Sequence, residues 1–470
     1  MEFIKSKRGK DLLAEQGFLY SFERRGIEEK SIWRCIENKN KDIKCSARLH
    51  VKDGVIVKQL NSHSHAPSAA AVKGRKIMNR LKELSRESDM TTHSAVASVS
   101  AEITPGVLAE VSKIETLKRF VRKQRNDAEA APPNPTSLES LLIPDEFRTT
   151  LGGQPFLYHD SGSEDRNRIL IFASYENLAI LKSCEHWCAD GTFSISPPLF
   201  EQVYSIHGIK YNTCLPLAFA LLTNKKGETY TKLFRALAQS LSGMSPVSIM
   251  IDFEKAVINS IKVVFPQCLV RGCFFHFGQA NWRKIQSLGL QHRYASDPEF
   301  ALNIRQLAAI AFVPVEAAQE AYEMLIKSTF FEENAADLDP LLDYFEDTWL
   351  GRVDRRGKRR NPLFPVTMWN CYTNVIEGLP RTNNGVEGWH HALHSLLMSA
   401  HPTIWKLINA FKKEEGLTRV KIEGFVSKKE IQTQRKKYVL LTNRLEAICT
   451  EFADTPTLDF LRAIAHNFTF

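Results

Sequence analysis

The chain lacks any run of about 18 consecutive apolar residues, so a membrane-spanning helix is not expected. Its first residues, MEFIKSKRGKDLLAEQ, lack the apolar centre of a secretory signal. Nine cysteines are spread thinly over 470 residues. An odd, sparse set argues against a disulfide framework and for reduced thiols in an intracellular compartment, a few of them free to bind metal. No G-x4-G-K-[ST] loop occurs, which speaks against ATP-driven unwinding. There is no internal repeat and no long low-complexity tract. What is present is a 43% hydrophobic, 10% aromatic composition, enough for a large packed core and against wholesale disorder. The length suggests about two to four domains. A net charge of +9 favours a polyanionic partner, nucleic acid first.

The chain changes character along its length. Residues 1–66 alternate with period two (GFLYSFERR, SIWRCIE, ARLHVKDGVIVKQL), which predicts a small β-rich module. Residues 67–130 are helical by spacing and basic, a possible helix-turn-helix-like region. APPNP at 131–135 breaks the chain. Residues 137–290 read as α/β, with apolar strands RILIFAS, HWCADGTFSI, FEQVYSIHGI, CLPLAFALLTN, VSIMIDF and CLVRGCFFHF. Residues 291–380 are expected to be a helical insertion with a basic loop, GRVDRRGKRRNP. Residues 381–470 read as helices again.

Four residues in the first segment have metal-ligand spacing: Cys35-x9-Cys45-x17-His63-x-His65. Two thiolates and two imidazoles would close a tetrahedral Zn²⁺ site with no position left for substrate. A 66-residue module buries little apolar surface, so a structural metal would supply folding free energy it otherwise lacks. Spacing alone leaves open two unrelated cysteines beside a polar NSHSHAP loop.

Downstream, Lys113, Lys118, Arg119, Arg122, Lys123 and Arg125 face a single acid, Glu115. Leu117, Phe120 and Val121 supply an apolar side. A helix with one basic face can lie along DNA phosphates, and Lys118, Arg119, Arg122 and Lys123 are the candidates. A plain solvated helix face reads the same way.

Two apolar runs end in an acid. HWCADGTF places Asp190 before a glycine turn, and VSIMIDFEKA places Asp252 after IMI. If the two strands pair, both acids point to one edge. Paired carboxylates bind divalent cations that serve in-line attack on phosphodiesters, and oxygen-only ligands favour Mg²⁺ or Mn²⁺. Either aspartate, taken singly, also reads as a turn or helix cap. From Asp190 the order is strand, strand, strand, helix, strand, helix, strand, helix, the order of a ribonuclease H-like fold.

The stretch RTNNGVEGWHHALHSLL adds a third acid, Glu387, followed by His390, His391 and His394. A zincin helix needs H-E-x-x-H, and here residue 391 is His where the general base would stand. A di-iron bundle needs two E-x-x-H copies, and one is present. Val386, Trp389, Leu393 and Leu396 form an apolar stripe, with Glu387 on its flank and the TNN run as cap. The histidines carry no metal role; contact with DNA phosphate or an influence on Glu387 stays open.

Two resemblances cover most of the chain. GFLY, IWRC, CSARLHV and HSH, over residues 3–65, resemble the FLYWCH-type zinc finger. That resemblance implies a zinc-stabilised β module binding DNA or protein, with Phe3, Tyr20 and Trp33 as core aromatics. DGTF, IDFEKAVINSIKVVFPQ, CFFHFGQANWRKI and RTNNGVEGWHHAL, over roughly 140–410, are similar in order to Mutator-like element (MULE) transposases. This implies a ribonuclease H-like core whose Mg²⁺ or Mn²⁺ is held by Asp190, Asp252 and Glu387, with a helical insertion before the last acid. It implies metal-dependent DNA nicking and strand transfer in the nucleus, and a homo-oligomer. Glu254 is the rival acid. Cys273 and His276 match a C-x2-H element, which is read here as structural ordering near the site. A derived DNA-binding regulator without catalysis is the alternative.

Overall fold

The computed structural model describes residues 1–470 apart from 7–8, 88–89, 130–131, 356 and 428–435. Ala131 of the proline-rich break and Arg356 of the basic loop therefore lie outside the described residues. The chain divides into two compact units, Met1–Pro133 and Asn134–Phe470.

In the first unit the period-two segments become an antiparallel meander. Its strands are β1 (Glu2–Lys5), β2 (Asp11–Glu15), β3 (Phe18–Arg25), β4 (Ser31–Cys35), β5 (Arg48–Lys52) and β6 (Val55–Leu60), paired in chain order. One face buries Leu13, Tyr20, Trp33, Leu49 and Val51. Phe3 does not join this core and is 54% exposed. Phe3 pairs with Leu13 and so lies on that same face, while Ile4 packs on the opposite face with Leu12, Ala14 and Leu19; β1 is the edge strand of the sheet, so no further strand covers Phe3 on its outer side. Its ring instead lies 5.5 Å from that of Trp33, and the exposed Phe22 lies 5.6 Å from it. Three helices follow: α1 (Ala69–Glu87), α2 (Thr92–Ser98) and α3 (Ile114–Glu129). They share a small core of Ile77, Leu81, Val96, Leu117 and Val121. The Thr91 hydroxyl caps α2 by accepting from the Ser94 amide.

The second unit is built on a seven-stranded mixed sheet. Its strands are β7 (Leu157–Asp160), β8 (Ile169–Phe172), β9 (His186–Thr192), β10 (Gln202–Lys210), β11 (Thr213–Leu222), β12 (Ser248–Ile251) and β13 (Leu269–Gly272), in the order β13-β12-β9-β10-β11-β8-β7. β9, β10 and β11 form an antiparallel meander. β12 then joins β9 in parallel, and β13 joins β12 in parallel. This is a ribonuclease H-like core, extended past β11 by β8 and β7. Helices α4 (Tyr175–Lys182), α5 (Gly227–Ser240), α6 (Lys255–Val264) and α7 (Phe274–Ser287) connect the strands. Alternation along β8 divides the core: Ile169 and Ile171 meet α5 and α6, while Leu170 and Phe172 meet the Asn384–Leu397 and Ile404–Val426 helices.

The segment CLVRGCFFHF does not continue as a strand. It stops at Gly272, and α7 begins at Phe274. The aromatics decide this. Phe274 and Phe277, three apart, stack on one helix face at 6.0 Å, and Phe277 stacks on Trp369 at 5.1 Å. Short helices between Gln291 and Ile376 supply Trp349 and Trp369, which hold α7 from outside the sheet. Among the described residues, no helix is long and apolar enough to cross a membrane.

Candidate functional site

Two groups of functional side chains emerge, one in each unit. In the first, Cys35 ends β4, Cys45 lies in the loop before β5, and His63 and His65 follow β6. Cys35 Sγ is 3.3 Å from His65 Nε2, Cys45 Sγ is 3.4 Å from His63 Nδ1, and the two ring nitrogens are 3.4 Å apart. Tetrahedral Zn²⁺ with bonds of about 2.3 Å to sulfur and about 2.0 Å to nitrogen requires such edges. Among the described residues, this is the one group of three or more such ligand atoms lying within 4.8 Å of one another.

The supporting contacts fit the same assignment. His63 turns its other nitrogen, Nε2, to the Tyr20 hydroxyl at 2.7 Å. His65 turns Nδ1 to the Ala66 carbonyl at 3.0 Å. Each ring thus has its far nitrogen fixed and its near nitrogen free for metal. Phe18 stacks flat on His63. Burial drives the Cys35 thiol up to about 12, so the thiolate that zinc needs is costly here without a cation. The donor set therefore fits a structural Zn²⁺ site.

The basic helix α3 splits its charges. Arg119, Arg122 and Lys123 are exposed. Lys118 is half-buried and paired with Glu115 at 2.9 Å. Arg125 donates to the Ser85 and Met90 carbonyls at the end of α1, so its role is to join two helices.

In the second unit, β9 and β12 set Cys188 opposite Met250, and the same register continued sets position 190 opposite 252. Asp190 does not precede a turn: β9 runs on to Thr192, with Asp190 paired to Ser205 of β10. Glycine follows it because a Cβ at 191 would meet Gln202 Oε1 at 2.3 Å. Asp252 lies just past β12 and does not cap α6, whose N-cap is Glu254. Glu254 pairs instead with Lys225 at 3.2 Å. Glu387 sits in the first turn of the Asn384–Leu397 helix.

That helix is held by its apolar stripe. Val386 packs with Cys188 and Met250, and Trp389 stacks on Phe219 while donating to Glu414 at 2.8 Å. Asn383 does not cap it with its side chain. Its amide N–H meets Cys273 Sγ at 3.2 Å, and its side chain turns to the Ala189 carbonyl of β9.

The C-x2-H pair occupies the space between the acids. His276 Nδ1 lies 2.7 Å from Asp252 Oδ1, and His276 Nε2 lies 3.9 Å from Glu387 Oε1. Burial alone would lower this imidazole, but Asp252 and Cys273 beside it raise it to about 10. Asp190 is raised as well: burial, then the Asp252 charge, lift its carboxyl to about 7. Of the three histidines after Glu387, His391 and His394 are exposed, while His390 turns inward to within 3.5 Å of Asp190. Sequence reasoning had no local signal for the inward turn of His390. For His276, the spacing marked the residue but not its two carboxylate neighbours.

The group is thus an acid cluster with a raised carboxyl and an imidazole between two carboxylates. Crowded carboxylates of this kind favour a positive ligand. Asp190, Asp252, Cys273 and His276 all fall in one stretch of similarity to known proteins, and Glu387 falls beyond it. No curated protein matches the chain as a relative. Two family models do match, and with them a DNA-binding, transposase-type function: residues 3–65 fit the FLYWCH zinc finger domain and residues 186–280 the MULE transposase domain, so the chain carries both.

Proposed function

We propose that the chain is a DDE-type transposase of the Mutator-like class that nicks DNA and transfers the cut strand. The observation that carries this reading is the convergence on His276: Asp252 at 2.7 Å and Glu387 at 3.9 Å, with Asp190 in register beside Asp252. Asp190, Asp252 and Glu387 would hold Mg²⁺ or Mn²⁺. When bound, that ion supplies Lewis-acid polarisation of a phosphodiester and a more acidic attacking hydroxyl.

The chain's own residues do the rest. The sheet presents two acids in fixed register, and the apolar stripe of the Asn384–Leu397 helix brings the third. His276 keeps Asp252 and Glu387 near each other by attraction to both. Arg119, Arg122 and Lys123 offer exposed charge for DNA phosphates. Work on chromosomal DNA would place the protein in the nucleus. The second reading is a DNA-binding regulator without catalysis, favoured by a first unit that carries both a zinc module and the exposed basic helix.

The test is nicking of supercoiled plasmid in Mn²⁺, wild type beside Asp252→Asn and Glu387→Gln. Nicking by the wild type and background cleavage by both variants is the expected result. Equal cleavage by all three would overturn the transposase chemistry, and DNA binding without cleavage would favour the regulator.

A further inference from the structure

We infer that His390 is a positioning residue for Asp190, itself held by a buried chain through Ser205 and His207. The inference rests on the proposed role of Asp190. His207 and Ser205 lie two residues apart on β10, and both are fully buried. His207 Nε2 is 3.0 Å from Ser205 Oγ, Ser205 Oγ is 3.1 Å from His390 Nε2, and His390 Nδ1 is 3.5 Å from Asp190 Oδ2. The side chains of His390 and Asp190 are only 12% and 13% exposed.

One proton order along this chain has His207 Nε2–H donating to Ser205 Oγ and the Ser205 hydroxyl donating to His390 Nε2, which puts the single proton of a neutral His390 on Nδ1, facing Asp190; Ser205 Oγ also lies 3.4 Å from the Asp190 backbone carbonyl. The other oxygen of Asp190, Oδ1, accepts from the Gly191 amide at 2.7 Å. The two oxygens of Asp190 thus have different neighbours, the Gly191 amide at Oδ1 and the His390 ring at Oδ2.

Packing alone does not call for this arrangement. Burying two imidazoles and a hydroxyl costs free energy unless each is hydrogen-bonded, and apolar side chains would fill the same space without that cost. Trp389 packs edge-on against His207 and next to His390, which keeps both rings in place. Groups that orient a metal-binding side chain typically change metal affinity or activity by about 10–100-fold when removed.

The experiment is Mn²⁺ titration calorimetry on the zinc-loaded full chain, with plasmid nicking as a second readout. His390→Ala should weaken Mn²⁺ binding by about 10-fold or more and slow nicking, with DNA affinity unchanged. His390→Asn, whose amide nitrogen can occupy the Nδ1 position, should recover most of the loss. His390→Gln, which reaches Ser205 and not Asp190, should not. Ser205→Ala removes one oxygen without changing core volume and should give a smaller loss of the same kind. Wild-type Mn²⁺ binding in His390→Ala, with binding weakened in Asp190→Asn, would overturn the inference and leave the proposed function standing. Wild-type binding in Asp190→Asn would overturn both. A loss in His390→Asn equal to that in His390→Ala would also overturn it.

Discussion

The two polar clusters of this molecule are built on opposite plans. The Cys35, Cys45, His63 and His65 set is closed: its ligand atoms already lie at metal-site spacing, and every far ring nitrogen has a partner. The Asp190, Asp252 and Glu387 set is open: a histidine stands between two of its acids, and Asp252 and Glu387 are 39% and 37% exposed. A closed sulfur and nitrogen site stabilises a small sheet that buries little else. An open oxygen site leaves room for a substrate and tolerates like charges held close. The difference separates a cluster whose donors fit a structural metal from the one for which we propose chemistry.

Three experiments would break or sharpen that contrast. The largest effect is expected at the closed site. Structural zinc contributes an apparent binding free energy of about 10–16 kcal/mol to small modules. Chelation, or Cys35→Ser, should unfold the N-terminal sheet, read as loss of its amide protection in hydrogen exchange. Retained protection after verified zinc removal would show that the cluster is not structural.

An intermediate effect is expected where the open site depends on close packing. A Cβ on Gly385 would meet Cys214 Cβ at 2.8 Å, whereas one on Gly388 would meet nothing. Gly385→Ala should cost about 1–3 kcal/mol in thermal unfolding and reduce nicking by displacing the Glu387 helix. Gly388→Ala should leave nicking intact and stabilise the helix by up to about 1 kcal/mol. The same outcome for both variants would mean that this packing does not hold the third acid.

The smallest effect belongs to surface charge. Replacing Arg119, Arg122 and Lys123 with Ala should weaken DNA binding uniformly across sequences. The slope of log affinity against log salt should flatten by about 0.9 for each phosphate that is no longer neutralised. Lys118→Ala, already paired with Glu115, should change that slope little. An unchanged slope in the triple variant would remove α3 from the DNA-binding surface.

Much of this was legible because it is local. Apolar runs mark β9 and β12, and the acid after IMI marks the end of β12, whereas Asp190 lies inside β9. The i, i+3, i+7 stripe marks the face of the Glu387 helix. Local patterning also misleads where tertiary packing decides. CFFHF has the composition of a strand, yet Trp349 and Trp369, distant in sequence, draw Phe277 into a helix. Phe3 shares the face of the core residue Leu13, but its place on the edge strand β1 leaves it 54% exposed. Gly191 looks like a turn residue, but the side chains of β10 explain it.

By itself the sequence determined the elements and the chemistry available to them, because helical and strand periods, caps and ligand types are properties of neighbouring residues. It also brought two thiols and two imidazoles within about 30 residues of chain, near enough for one small sheet to gather. Only the tertiary structure decided that His276 stands between Asp252 and Glu387, and that His390, alone of three histidines, turns toward Asp190. The approaches of His276 to Glu387 and of His390 to Asp190 each span more than a hundred residues of chain. They are set by which face of a helix finds an apolar sheet, and no pattern within the helix records what lies across from it.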